Sequence, residues 1–191
     1  MIVEALDARL DVAIRWSGAD LDRLLDEAHI ALVDRLVHLY RAAGWEVDVE
    51  VSFSEWGERG SIDVVARRPA TGIVSVNEVK ASVGDGQATV HGIDRKARLM
   101  PAIARKRGWA CRSVARILVV EASSTNRRRI AEHDATFSAA FPVRGKDVAT
   151  WIRNPGERPV SGLLFLASAT GGSARRARAG AQRVQRASRP S

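Results

Sequence analysis

A helical repeat followed directly by an alternating repeat limits the folds open to this chain. Over residues 21–43, apolar side chains recur every three or four positions, which is the period of an amphipathic helix. Gly44 follows and is the type of residue that ends helices. From Trp45 to Phe53, odd-numbered residues are apolar and even-numbered residues are polar, which predicts a strand with one buried face. Because the apolar faces of the helix and of the strand must both be buried, we expect a layer of helices packed against a β-sheet.

The rest of the chain continues this mixed pattern. We predict further strands at residues 10–16, 62–66, 73–79, 114–121 and 162–167, and further helices at 87–106, 125–140 and 146–153. Gly57 and Gly60 are predicted to lie in a polar loop, and Pro101 would kink or split the second helix. The order of helix, three strands, helix and strand predicts an α/β fold with a central mixed β-sheet flanked by helices.

The positive charge of the chain is concentrated at its end. The 191 residues include 30 Lys and Arg against 22 Asp and Glu, a formal net charge of +8. Six of the arginines and no acid lie in residues 171–191, which leaves +2 for residues 1–170. Because this last segment lacks Leu, Ile and Phe, we predict a disordered arginine-rich tail after one domain at 1–170.

Cysteine usage and hydropathy indicate a cytoplasmic protein with no membrane partner. Cys111 is the only cysteine, which excludes a disulfide framework and fits a reducing compartment. No apolar run approaches the ~20 residues of a membrane span. Residues 1–9 contain Glu4 and Asp7, so we expect no signal peptide.

Three charged residues lie on two successive predicted strands. Asp63 is on the first, and Glu78 and Lys80 flank Val79 at the end of the next. Residues two apart on a strand share a face, so Glu78 and Lys80 point together and a neighbouring strand can bring Asp63 beside them. Two carboxylates near an ammonium suit Mg²⁺, which prefers hard oxygen ligands. The simpler interpretation is a solvated Glu78–Lys80 pair, worth about 0–1 kcal/mol.

A resemblance to a known superfamily rests on two short motifs, Gly60-Ser61-Ile62-Asp63 and Glu78-Val79-Lys80. Their placement over residues 21–121 resembles the PD-(D/E)xK nucleases, which have the restriction-endonuclease-like fold. The resemblance implies that Asp63 and Glu78 bind Mg²⁺ or Mn²⁺, that Lys80 is the catalytic lysine, and that a phosphodiester is hydrolysed. Ile62 stands where the superfamily's name expects proline.

The resemblance also implies residues that would complete the site. These nucleases often add an acid from the first helix, where Glu27 and Asp34 both qualify because they lie two turns apart on one face. We take Glu27 as the candidate. Some branches place a glutamine at the start of the second helix, where this chain has Gln87.

Basic residues near these motifs are candidate DNA contacts. Arg59 precedes Asp63 in the predicted loop, where a guanidinium would bind phosphate through two hydrogen bonds. Arg95 and Lys96 lie on a basic face of the second helix, which would follow a DNA backbone if the helix borders the site. The alternative is that Arg59 lies in a solvated turn and that Arg95 and Lys96 lie on a solvated helix face.

A narrower resemblance covers residues 10–168. Segments 58–63, 94–99 and 139–145 are similar to a nuclease-like domain of actinobacterial proteins, where it often follows a helix-turn-helix. The residues before Leu10 are too few for that motif, so the resemblance is to the nuclease-like domain without it.

The expected function is that of a Mg²⁺-dependent nuclease that hydrolyses DNA. The alternative is a non-catalytic DNA-binding or regulatory module that retains the nuclease fold. Related nucleases commonly dimerise to cut both strands, so a homodimer is a further candidate partner.

Overall fold

The computed structural model describes residues 19–156 and 158–168. The predicted strand at 10–16 and the predicted tail at 171–191 lie outside these residues.

The described residues form five helices around a six-stranded mixed sheet, which confirms the predicted α/β class. The helices are α1 (Ala19–Ala42), α2 (Gly86–Lys106), α3 (Ser124–Glu132), α4 (Asp134–Ala140) and α5 (Gly145–Arg153). The strands are β1 (Glu46–Glu55), β2 (Glu58–Arg68), β3 (Ile73–Lys80), β4 (Ser113–Glu121), β5 (Val143–Arg144) and β6 (Ser161–Leu166).

The sheet combines an antiparallel half with a parallel half. Its strand order is β1-β2-β3-β4-β6-β5, with the β1–β2 and β2–β3 pairs antiparallel and the remaining pairs parallel. This arrangement is compatible with a restriction-endonuclease-like fold. Among the described residues, no helix is long and apolar enough to cross a membrane.

Two hydrophobic cores lie on opposite faces of the sheet. The α2 face is covered by apolar side chains of α2, α3 and α4, including Ile93 and Phe137. The α1 face is covered by α1 and α5, including Leu36 and Trp151. On this face the buried Tyr40 hydroxyl bonds the Ser75 hydroxyl at 2.7 Å and donates to Asn77 Oδ1 at 2.8 Å, which ties α1 to the middle of β3.

The β1–β2 hairpin differs from the predicted loop. Its turn consists of Trp56 and Gly57, which both have positive φ (48° and 83°), as a type I′ turn in a two-residue hairpin requires. β2 therefore begins at Glu58, and Gly60 is a strand residue. A Cβ at Gly60 would lie 3.0 Å from the Phe53 ring, which explains glycine at this position.

The prediction that β1 buries a single face is wrong, because the hairpin changes faces halfway along. The odd-numbered residues of β1 point to the α1 face before Glu50 and to the α2 face after it. Trp45 and Val47 pack in the α1-face core, whereas Val51 and Phe53 pack in the α2-face core. Between them Glu50 has φ 49°, a left-handed backbone that interrupts the alternation of side chains, and Val49 is 49 % exposed. β2 changes with it: Ile62 belongs to the α2-face core and Val64 to the α1-face core.

Two helix predictions also change. α2 runs without interruption through Pro101. The helix predicted at 125–140 is divided at His133, whose φ of −117° and ψ of 31° leave the helical region. The separate helix α4 packs Phe137 against Gly86 at the start of α2.

Candidate functional site

The candidate site lies where β2 and β3 separate. Their ladder extends from Arg68↔Ile73 to Val64↔Asn77. Asp63 is the next residue of β2, at the point where the hairpin changes faces. Its Oδ2 accepts a hydrogen bond from the Val79 N–H at 2.7 Å, so a side chain replaces the missing strand partner. The Asp63 carboxylate is thereby fixed against the end of β3.

Glu78 and Lys80 point to the α2 face of β3, as their spacing predicts. Glu78 is 8 % exposed, and its Oε1 lies 2.8 Å from Lys80 Nζ. The Lys80 side chain is 37 % exposed, so it reaches both the buried carboxylate and solvent. The simpler interpretation of a solvated ion pair does not describe this pair, because Glu78 is buried.

A second lysine completes the cluster. Lys96 of α2 is 8 % exposed, and its Nζ contacts Glu78 Oε2 and lies 3.7 Å from Asp63 Oδ1. The expected position of Lys96 on a solvated, DNA-facing helix face is wrong, since the side chain points inward. The sequence contained a signal for this: Lys96 lies three residues after Ile93 and three before Leu99, on the buried stripe of α2.

Burial and charge shift the two carboxylates in opposite directions. Burial, followed by the nearby Glu78 carboxylate, raises the pKa of Asp63 despite the Val79 hydrogen bond and the Lys96 ammonium. Burial also acts to raise the pKa of Glu78, but hydrogen bonds from Lys80 and Lys96 outweigh it and hold that pKa below its ordinary value. Glu78 is thus the more strongly ionised member of the pair.

Open grooves flank the cluster on both sides. The α1 groove, about 260 Å³, lies between Asp63, Lys80 and helix α1, which contributes Leu25, Asp26 and His29. The α2 groove, about 300 Å³, lies between Glu78, Lys80 and the first turns of α2, including Thr89 and Gly92. A ligand in either groove can approach Lys80.

The first helix does not bring the predicted acid to the site. Glu27 is exposed and lies 3.6 Å from Arg23 in an ion pair on the helix surface, and Asp34 is also exposed. The side chains that line the α1 groove are Asp26 and His29. Each residue of a helix is rotated about 100° from the last, so an error of one position changes the face. The prediction of Glu27 as a site residue is not supported by this placement.

Gln87 is also separated from the carboxylates. Its exposed side chain lines a different depression, together with His133 and Thr136. The residue that caps the N-terminus of α2 beside the cluster is Asp85, whose Oδ1 accepts a hydrogen bond from the Ala88 N–H at 3.1 Å.

Arg59 and Arg95 are exposed near the tip of the β1–β2 hairpin. Arg59 lies on β2 opposite Ser54, four strand positions from Asp63 or about 13 Å along the strand. Arg95 Nε lies 3.9 Å from Glu58, which also pairs with Arg98 at 2.6 Å. The structure therefore places both guanidinium groups toward the hairpin tip and outside the cluster.

A clamp from α3, which the sequence did not reveal, fixes the segment after Lys80. Asn126 is 1 % exposed; its amide donates to the Ala81 carbonyl at 2.9 Å and accepts from the Val83 N–H at 3.0 Å. Arg129 donates to the Ser82 hydroxyl at 2.9 Å. The turn between β3 and α2 is held in place by these bonds, and with it the position of Lys80.

The donors present fit a divalent cation in their chemistry. Asp63 and Glu78 supply carboxylate oxygens of the kind that Mg²⁺ binds. Residues 19–156 and 158–168 contain no cluster of three or more His, Cys, Asp or Glu side chains that could hold a metal ion. The Lys96 ammonium lies between the two carboxylates, in the space that a cation held by both would need.

Comparison of the chain with protein-family models and with curated proteins found no match. The interpretation of the site therefore depends on the fold and on this cluster of two carboxylates and two ammonium groups.

Proposed function

We propose that the chain is a nuclease that hydrolyses DNA phosphodiester bonds, and that Asp63, Glu78 and Lys80 form its catalytic centre. One observation carries the proposal: the three side chains converge where β2 leaves β3, between two open grooves. This convergence and the mixed sheet support membership of the PD-(D/E)xK superfamily.

Each residue has a defined role in this proposal. A Mg²⁺ or Mn²⁺ ion held by Asp63 and Glu78 would polarise the scissile phosphate and lower the pKa of bound water. Lys80, fixed against Glu78 and partly exposed, would orient the attacking water and stabilise charge on the phosphate oxygens. Arg59 and Arg95 would contact flanking phosphates, which fix the register of DNA without reading its sequence.

A cytoplasmic location and a homodimer belong to the same proposal. A cytoplasmic location would give the chain access to DNA, and cutting both strands of a duplex at one position favours two copies.

A second candidate function is a non-catalytic DNA-binding module, and the position of Lys96 favours it. The ammonium of Lys96 between Asp63 and Glu78, together with that of Lys80, balances the two carboxylates without any metal, so the cluster could serve architecture alone.

A cleavage assay separates the two candidates. The full chain is incubated with plasmid and with single-stranded DNA, with Mg²⁺ or Mn²⁺, beside Asp63→Ala, Lys80→Ala and the control Lys146→Ala, which changes an exposed lysine of α5. We expect the parent and the control to cut, and the two site variants to lose at least about 100-fold in rate.

Circular dichroism confirms that each variant is folded. If the parent leaves both substrates intact, or if the site variants cut as fast as the parent, the nuclease proposal is wrong. A gel shift that survives both site substitutions would then support the binding module.

A further inference from the structure

We propose that Lys96 and a divalent cation compete for the same space between Asp63 and Glu78, so that Lys96 lowers the cation affinity of the site. The inference rests on the proposed function only for the place where the ion binds. It concerns a residue of α2 that lies outside the two motifs.

The contacts of Lys96 are those of an ion that bridges two carboxylates. Its Nζ touches Glu78 Oε2 and lies 3.7 Å from Asp63 Oδ1, while the other oxygen of each carboxylate is bound elsewhere. Glu78 Oε1 pairs with Lys80, and Asp63 Oδ2 accepts from Val79. Among the described residues, Lys96 is the partner of both oxygens that face it, so these two oxygens become the most available to a metal if its ammonium leaves.

Because Lys96 is buried, moving its ammonium away from the carboxylates is costly unless another positive charge takes its place. The Lys96 side chain is 10 % exposed and lies among apolar neighbours such as Ile93 and Leu99 on the inner stripe of α2. A buried ammonium requires a charged partner, and so do the carboxylates beneath it. An entering cation would satisfy the carboxylates but would leave the ammonium without a partner.

The α2 groove offers a new place for the displaced ammonium. Helical side chains lean toward the N-terminus of their helix and over the residue four positions earlier, which for Lys96 is Gly92. Gly92 lines the α2 groove, and a Cβ there would meet no atom within 4 Å. The ammonium would thus move toward the groove in which a phosphate has access to Lys80.

Metal binding to a lysine variant tests the competition without DNA. Lys96→Met keeps the apolar stem and removes the charge, and Lys106→Met is the control because Lys106 lies on the same helix and pairs with Glu55. Binding of Mn²⁺ to the metal-free proteins is measured by electron paramagnetic resonance. We expect Lys96→Met to bind Mn²⁺ about 10- to 100-fold more tightly than the parent, and Lys106→Met to bind it equally. A folded Lys96→Met with unchanged or weaker affinity overturns the inference.

A second measurement uses the parent and does not depend on the folding of a variant. Lysines are acylated with acetic anhydride, with and without saturating Mn²⁺, and each site is quantified by mass spectrometry. We expect the reactivity of Lys96 to rise several-fold with Mn²⁺, because its ammonium leaves the carboxylates, while that of exposed Lys106 stays constant. Unchanged protection of Lys96 in the Mn²⁺-bound parent overturns the inference, and so does a failure of both parent and variant to bind Mn²⁺.

These outcomes are distinguishable from a failure of the proposed function. Tighter Mn²⁺ binding by Lys96→Met in a chain that cuts no DNA would contradict the nuclease proposal alone. Metal-dependent cutting by the parent, with no change of affinity in Lys96→Met, would contradict the Lys96 inference alone.

Discussion

Glu78 is the residue on which the charges of the site converge. It is buried, and each of its oxygens is paired with a different lysine, one from its own strand and one from α2. Removing one partner from a buried ion pair is costly because the remaining charge loses its compensation. Glu78 therefore contributes to stability as well as to the proposed chemistry.

The lowered pKa of Glu78 gives its contribution a definite pH dependence. At pH values between the lowered pKa of the folded protein and the ordinary pKa, the unfolded chain binds more protons than the folded protein does. Stability therefore rises with pH in that interval. The contribution is present above the ordinary value of 4.5 and is lost as the pH falls through the lower folded value. The raised pKa of Asp63 has the opposite sign: ionisation of Asp63 subtracts stability as the pH rises above its ordinary value of 3.8.

We therefore expect Glu78→Gln to lower the free energy of unfolding by about 3 kcal/mol at pH 7 and to reduce its loss on acidification. Asp63→Asn, the matched control, should cost less, because an amide still accepts the Val79 hydrogen bond and avoids a costly ionisation. Urea unfolding between pH 7 and pH 3 measures both effects. Equal acid dependence in Glu78→Gln and the parent would contradict the assigned role of Glu78.

Sequence spacing predicted the strand residues of the site and failed for those on helices. Glu78 and Lys80 follow from a period of two, which tolerates errors in strand ends because only two faces exist, and Asp63 follows from the pairing of neighbouring strands. Glu27, Gln87 and Lys96 depend on the phase of a helix, where one residue changes direction by about 100°. Lys96 also looked like a surface residue, since its charge was grouped with exposed Arg95 and Arg98.

At the level of elements, the decisive feature is the change of faces in the β1–β2 hairpin. It depends on the left-handed backbone of Glu50, which interrupts the alternation at the position where β2 carries Asp63. A non-glycine residue in this conformation costs about 1–2 kcal/mol, and a β-branched residue costs more. The hairpin thus bears strain next to the site.

Two substitutions at Glu50 test this strain. Both remove the 3.1 Å hydrogen bond from the Ser61 hydroxyl, so its loss cancels in their comparison. We expect Glu50→Gly to be more stable than Glu50→Val by about 1–2 kcal/mol, measured by chemical denaturation. Exposed Ser52, two residues along β1, is the control, and there valine should be more stable than glycine as in an ordinary strand. The same order at both positions would show that Glu50 is not strained.

The elements themselves were predictable where their period was strong. α1, β1, β3, α2 and β4 agree with the predicted ranges to within a few residues. The change of faces at Glu50 was not predictable, because Val49 and Val51 continue the alternation through it. The division at His133 was missed because residues 125–140 contain no Gly or Pro to mark a break.

On the scale of the whole molecule, charge is distributed unevenly between the domain and the end of the chain. Residues 1–170 carry +2 of the net +8, and the remaining excess comes from the six arginines of residues 171–191. General attraction to phosphate should therefore depend mainly on that end, whereas the proposed chemistry depends on the cluster at β3.

Replacing the six arginines with glutamine should separate the two contributions. We expect weaker DNA binding and a shallower dependence of the logarithm of affinity on the logarithm of salt, by about 0.9 for each phosphate that is no longer neutralised. Metal-dependent cleavage at low salt should persist. Fluorescence anisotropy over a salt series measures the slope, and loss of cleavage at low salt would show that these arginines take part in more than general attraction.

The change of faces in the hairpin also governs how the molecule can come apart. Because β1 and β2 supply side chains to both cores, separation of either layer of helices removes packing from this one hairpin. Opening either layer exposes apolar surface of the same two strands, which penalises partial unfolding. The hairpin couples the two layers, so loosening of either layer should weaken the packing of the other and of the strand that carries Asp63.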